Sequence, residues 1–383
     1  MLFKLLLLLI GFFLFVPIVI FMVTRYNQSS SERIPKPAVT PKPSLSALDT
    51  IVFIPYWDQD NAMRSVYENP QAVDGIGLFW YQLTPEGTVE TYSGTREDHR
   101  IIEFAHENDI QVFALIANLQ DQGQNTEEWD SNRVRRMITN TQRKEKHIND
   151  LVNLVVYNNF DGLALDYESL DADLRDDYTQ FVQELSNTLH KEDKILEIAI
   201  HPKSSDDKNS EFFGAIAQDY QALSKYADKL HFMMYTEHTI SSTPGPSSTV
   251  ALIERVLNYT IGEEQVPPEK IVLGIGLFGT HWVTDNANEQ NITGTTADLT
   301  YQAIEKIARE NQHELVRDQN TQSVMMTFVD QDGFNIIWLN DAESLKRRME
   351  IAREYGVSGV SLWRLGGEDP NIWNVLSENE NSK

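Results

Sequence analysis

The sequence predicts an α/β fold, a (β/α)8 TIM barrel with a small α+β insertion between strands 7 and 8. Three observations lead there. Eight short apolar runs recur along the chain, amphipathic stretches separate them, and about eighty residues intervene before the last run. The runs are 51–57, 76–83, 112–119, 163–167, 196–200, 230–235, 271–278 and 359–365. They are rich in β-branched and aromatic residues and too short for helices. Between the fourth and fifth, Leu174, Tyr178, Phe181, Val182, Leu185 and Leu189 recur at helical spacing. Ile148, Leu151, Val152 and Val155 form a similar face just before the fourth run. Eight strands alternating with helices suit a barrel. The rival is a doubly wound open sheet, and it lacks the Gly-x-Gly-x-x-Gly turn after its first strand.

The long gap at 280–340 holds a helical pattern (Leu299, Ala303, Ile304, Ile307) and two strand-like pieces, 323–329 and 334–339. Asp330-Gln331-Asp332-Gly333 separates the pieces as a turn. Asp341 is placed to cap a following helix and Gly356 to end it. The barrel is therefore expected over 49–376, with a disordered polar tail at 377–383. Ahead of it, 26–48 is Ser-rich and then Pro-rich, an extended spacer. Residues 5–23 are apolar apart from Gly11 and Pro17, roughly one hydrocarbon thickness at helical rise. Residues 1–25 read as a transmembrane anchor, with a cleaved signal peptide as the alternative. Lys4 alone precedes the span, while Arg25, Arg33, Lys36 and Lys42 follow it, a charge balance that does not favour export.

Composition narrows the chemistry. The 383 residues carry a formal net charge of −25 and no cysteine. The charge excludes a phosphate-backbone binder, because nucleic acid requires a dense basic face. It equally offers no attraction to anionic polymers, so a neutral, amidated or acetylated sugar fits better. Disulfides, thiolate nucleophiles and Cys-ligated zinc are ruled out. Nine histidines occur without a His-Glu-x-x-His pair, and no metal site or cofactor is expected. His201 and His238 end strands and are candidates to line a cleft. The Arg133-Val134-Arg135-Arg136 stretch reads as a solvated helix face.

The chemistry concentrates in Phe160-Asp161-Gly162-Leu163-Ala164-Leu165-Asp166-Tyr167-Glu168. Alternation puts Ala164, Asp166 and Glu168 on one strand face, with Leu163, Leu165 and Tyr167 on the other. In a barrel the leucines pack under helices and the carboxylates face the lumen. Glu168 comes last, at the strand end where barrel active sites sit. Two carboxylates on one face repel, which raises one pKa and provides a general acid near neutral pH.

This segment resembles the Asp-x-x-Asp-x-Asp-x-Glu strand of glycoside hydrolase family 18. Asp161, Asp166 and Glu168 match, while Ala164 stands in place of the second Asp. Met233-Met234-Tyr235 resembles the family's Met-x-Tyr-Asp, with Thr236 in place of its Asp. Trp363 resembles the tryptophan that floors the sugar pocket, and Asn118 falls where relatives place polar substrate contacts. Trp338-Leu339-Asn340-Asp341-Ala342-Glu343-Ser344 and Trp363-Arg364-Leu365-Gly366 resemble a bacterial branch that includes spore-cortex-lytic N-acetylglucosaminidases. The resemblance spans about residues 49–375.

It implies a glycosidase acting on an N-acetylglucosamine-containing polysaccharide such as peptidoglycan or chitin, membrane-tethered and facing outward. It implies Glu168 as the acid, with the substrate's own acetamido oxygen as nucleophile, an exception to the two-carboxylate scheme. Asp166 would hold the acetamido N–H, Tyr235 would orient its oxygen, and Trp363 would stack on the ring. Asp161 is grouped with the substrate-binding residues, or orders the network around Asp166. Trp57 and Trp80 end strands, where packing and sugar stacking look alike. Ala164 and Thr236 leave open a second reading, an inactive sugar-binding or scaffold protein of the same fold.

Overall fold

Each of the eight apolar runs forms a parallel strand. The structure, a computed structural model, describes residues 47–120, 129–206, 214–285 and 291–382. The anchor or signal expected at 1–25 and nearly all of the spacer lie outside these residues. Among the described residues no helix is long and apolar enough to cross a membrane.

The barrel strands are β1 (Asp49–Pro55), β2 (Gly75–Leu83), β4 (Gln111–Ala117), β5 (Gly162–Asp166), β6 (Ile195–Ile200), β7 (Lys229–Met233), β8 (Ile271–Gly276) and β14 (Gly359–Trp363). A short β3 (Val89–Thr91) hangs antiparallel on the end of β2. The strands run β1-β14-β8-β7-β6-β5-β4-β2, and pairing of β1 with β2 closes the ring. Closure removes every edge, and helices outside with side chains filling the lumen leave both faces of these strands apolar. Helices α1 (Gln59–Glu68), α2 (Arg100–Glu107), α3 (Ser131–Ile138), α4 (Thr141–Tyr157), α5 (Arg175–Leu189), α6 (Tyr220–Leu223) and α7 (Val250–Asn258) pack outside. Leu163, Leu165 and Tyr167 join Leu151, Phe181 and Leu185 in the layer between strands and helices, all fully buried. Each such leucine contributes about 1.5–3 kcal/mol. The lumen holds a separate cluster of Phe53, Phe79, Phe113, Leu115, Ala117 and Ala164.

Between β8 and β14 lies a five-stranded antiparallel sheet in the order β10-β9-β13-β12-β11. Its strands are β9 (Gly279–Thr284), β10 (Ile292–Leu299), β11 (Val316–Arg317), β12 (Val324–Val329) and β13 (Phe334–Leu339). Helix α8 (Tyr301–Asn311) packs on it through Ile304 and Ala308. The expected strand–turn–strand is β12–β13, in register from Val324↔Leu339 to Val329↔Phe334. Helix α9 (Ala342–Tyr355) starts as anticipated. Asp341 accepts the Ser344 N–H at 2.9 Å, and Gly356 ends the helix with φ +69°.

Two expectations fail here. The tail is not disordered from Ser377: helix α10 (Ile372–Glu380) runs through it. The reason is Asn379, only 2% exposed, whose amide accepts the Leu48 N–H at 3.0 Å and donates to the Leu48 carbonyl at 2.8 Å. A polar side chain so paired with the start of the barrel is held as firmly as an apolar one. Nor is Arg133 on a solvated face. It is buried and donates to the Leu83 carbonyl at 2.7 Å, while Arg135 pairs outward with Asp171 and Asp173.

Candidate active site

Glu168 lies just beyond β5, and its position rests on Asn118, just beyond β4. The Asn118 amide accepts the Glu168 N–H at 2.9 Å and donates to the Glu168 carbonyl at 3.0 Å. Both backbone groups of the residue are thereby satisfied by one side chain, which fixes the backbone from which its carboxyl projects. Asn118 is 0% exposed and does not line the cavity, so it is a positioning residue and not the substrate contact anticipated.

Asp166 and Glu168 share the lumen side of β5 and hydrogen-bond to each other. Burial, then the Asp166 charge, holds the Glu168 carboxyl well above the usual carboxylate range. Burial also pushes Asp166 up to about 7, with the Glu168 hydrogen bond pulling the other way. Both shifts favour keeping a proton on the pair, and Glu168 is the more strongly raised of the two. His201 Nε2 lies 3.2 Å from Glu168 Oε2 without hydrogen-bond alignment. Burial lowers that imidazole to about 4, so at neutral pH the contact is not an ion pair.

A cavity of about 250 Å3 opens above these groups. Asp166, Glu168, Tyr235, Thr236, Trp57 and Trp363 all line it. Tyr235 follows β7, and its phenol is pushed up by burial, then by Asp166 and Glu168. Its ring has room because residue 274 is glycine. A Cβ there would stand 2.5 Å from the Phe232 carbonyl oxygen and 3.2 Å from the Tyr235 ring. Trp363 ends β14 and forms an aromatic wall with Phe53, Trp57 and Phe79, ring centroids 5.8–6.4 Å away. Trp57 is 46% exposed at the mouth, with the Arg364 guanidinium 5.7 Å from its ring. Arg364 pairs with Asp58 at 2.9 Å and with Asp298 of β10 at 2.6 Å, so the insertion helps brace this wall.

Two expected substrate residues lie elsewhere. Trp80 is 0% exposed in the layer under the helices, donating to Gln59 Oε1 at 2.6 Å. The lumen position on β2 belongs to its neighbour Phe79. Asp161 precedes β5 and so sits at the opposite end of the barrel, about 16 Å of strand from Asp166. It accepts the Val112 N–H at 2.7 Å and contacts His106 at 3.0 Å. Asp74 and Asp228 do the same for Thr50 and Leu196, at 2.7 and 2.8 Å. Asp161 is one of three such strand staples, with no access to the cavity.

Sequence reasoning missed Glu197 and His231, which line the lower cavity from β6 and β7. It also missed Phe53 and Phe79. The signal was present in Glu197, a carboxylate inside an otherwise apolar strand. His238 lies outside the cavity, held by the Thr243 carbonyl at 2.9 Å. Glu237, next to Thr236, is turned away to accept from the Thr249 backbone N–H and, at 3.1 Å, from its hydroxyl.

A closed barrel with a buried acidic pair and an aromatic wall at its C-terminal mouth has the form of a glycoside-hydrolase site. The sequence matches the glycosyl hydrolases family 18 model over residues 52–368, and the chain belongs to that family. YdhD of Bacillus subtilis, provisionally named a sporulation-specific glycosylase, is 29% identical over 300 residues, covering 78% of this chain and 67% of its own. The cortical fragment-lytic enzyme of B. subtilis is 25% identical over 324 residues, 84% of this chain and 71% of its own. Among solved structures, the spore cortex-lytic enzyme SleL of Bacillus megaterium superposes with a TM-score of 0.76 at 20% identity, covering 88% of this chain and 75% of its own. The chitinase of Chromobacterium violaceum gives 0.76 at 22%, covering 87% and 99%.

Proposed function

We propose that the protein hydrolyses β-linked N-acetylglucosamine polymers, with peptidoglycan favoured over chitin, by substrate-assisted retaining catalysis. The single observation that carries this is the Asp166–Glu168 pair of adjacent buried carboxyls at the barrel mouth, lining an aromatic-walled cavity. Glu168 enters the reaction protonated and delivers its proton to the glycosidic oxygen. The substrate's acetamido oxygen attacks the anomeric carbon as that bond breaks, giving a cyclic oxazolinium. Asp166, ionised, accepts the acetamido N–H and stabilises the positive charge developing there. The Tyr235 hydroxyl donates to the acetamido oxygen and fixes its line of attack. Water, deprotonated by the Glu168 carboxylate, then opens the ring with net retention. Trp363 and Trp57 supply the apolar faces on which pyranose rings stack.

The preference for peptidoglycan rests on the cortical fragment-lytic and cortex-lytic relatives. Action outside the cell, tethered through the apolar segment at 5–23, follows from the same substrate. A second reading, a sugar-binding scaffold, is favoured by Ala164 and Thr236, which leave the cavity wall short of two carboxylates. Incubating residues 48–383 with N-acetylglucosamine oligomers and purified peptidoglycan, with products read by mass spectrometry beside Glu168→Gln, separates the two. Cleavage lost in the variant is the expected result. Saturable binding with no product from the unmodified chain would move the assignment to the scaffold.

A further inference from the structure

Beside Asp166 the barrel lumen contains a second acid–base pair that the proposed reaction does not use. Glu197 and His231 are 2% and 5% exposed, and their side chains approach to 3.0 Å without hydrogen-bond alignment. Glu197 Oε2 and both His231 ring nitrogens are buried without a hydrogen-bond partner, and so is Asp166 Oδ1. Buried polar atoms in that state are costly, and they concentrate where a function or ordered water takes them up.

Register explains why these groups face one another across open space. Ala164 of β5 pairs with Glu197 of β6, and Ala199 of β6 pairs with His231 of β7. Leu165 pairs with Ile198, so Asp166 continues level with Ala199 and hence with His231, two strand spacings or about 10 Å away by backbone. Both intervening lumen positions are alanine, and all five residues line the one cavity. A polar space with several unpartnered atoms on its wall is the kind that holds ordered water. Phe53 fixes the His231 ring edge-on from the other side, centroids 5.7 Å apart.

We propose that Glu197, in contact with His231, is a positioning residue that sets the protonation of Asp166 through water in the barrel lumen. The inference rests on the reading of Asp166 as a working group of the site. The titratable groups near Asp166 are Glu168 on its own strand, Glu197 and His201 from β6 and its end, His231 and Tyr235 from β7 and its end, and Tyr178 of α5. Among the described cavity-lining residues, β4, β8 and β14 contribute no titratable group. A negative charge on the Glu197 carboxyl would act on Asp166 in the same direction as burial does. It would thereby keep the proton within the Asp166–Glu168 pair.

The test is the titration of Asp166 by carbon NMR of residues 48–383 labelled at the aspartate carboxyl, the signal assigned by its loss in Asp166→Asn. Glu197→Gln should lower the midpoint by about one to one and a half pH units, as expected for removing one charge about 8–10 Å away at an effective dielectric near 20. His231→Gln should also move it, because the ring that lies 3.0 Å from Glu197 is replaced. Glu197→Asp should restore most of the unmodified value. An unchanged midpoint in a folded Glu197→Gln protein overturns the proposal. If that variant fails to fold, an unchanged midpoint in His231→Gln does so. Activity against peptidoglycan is recorded in parallel, and its acid limb should move with the Asp166 midpoint. Absence of turnover in the unmodified chain would refute the proposed function while leaving the titration to decide this inference.

Discussion

Replacing Asn118 with alanine removes two hydrogen bonds and leaves the Glu168 N–H and carbonyl unpaired beside a fully buried position. Each hydrogen bond is worth about 0.5–1.5 kcal/mol net, and each unpaired buried group costs about 1–3 kcal/mol. Partial relaxation and water entry reduce the sum, so a loss of about 2–4 kcal/mol is expected. The larger consequence is for catalysis. Among the described residues no other hydrogen bond ties the Glu168 backbone to the end of β4, and a displacement near 1 Å is enough to lower turnover about a hundredfold. Urea melts of residues 48–383 would measure the first quantity, and kcat on a peptidoglycan fragment the second. Leu376→Ala in α10 is the control. It removes a fully buried side chain remote from the cavity, at about 2–5 kcal/mol, and should leave kcat unchanged. An Asn118→Ala protein that is folded and retains the kcat of the unmodified chain would refute the positioning argument.

Asp166→Asn should stabilise the protein increasingly as pH rises. The folded-state midpoint lies above the ordinary carboxylate value of 3.8, at about 7, so the folded chain holds this proton more tightly than the unfolded one. Stability then falls between pH about 4 and about 7 in the unmodified protein, and thermal melts across that window should show the variant's Tm advantage growing while kcat collapses. Trp57→Ala should raise KM several-fold with little change in Tm, because the ring is half exposed at the mouth. Trp80→Ala should do the reverse, losing about 3–5 kcal/mol of stability with KM preserved. Asp161→Ala should cost about 1–3 kcal/mol without altering the pH profile of activity, since it releases one strand staple at the far end of the barrel.

The barrel was legible because all eight strands are buried on both faces, which writes them into the chain as short continuous apolar runs. The same property hid which residues face the lumen. All nine residues of β2 are buried, so alternation could not tell Trp80 from Phe79, and a register irregularity between Phe79 and Tyr81 adds to the ambiguity. In the insertion, β12 and β13 carry apolar alternation and were visible. β10 is Thr-rich and exposed or half-buried throughout, with no such pattern.

By itself the sequence determined the strand count, the alternation with helices and the spacing that brings Asp166 and Glu168 to one face of β5. These are local properties, set by periodicity and by the number of bonds between side chains. Only the tertiary structure decided what lies across from each strand. Closure of the ring set Asp161 against β4 at the far end, turned Asn118 inward onto Glu168 and aligned Glu197 with Ala164. Those relations depend on register between strands far apart in sequence, which no local pattern encodes.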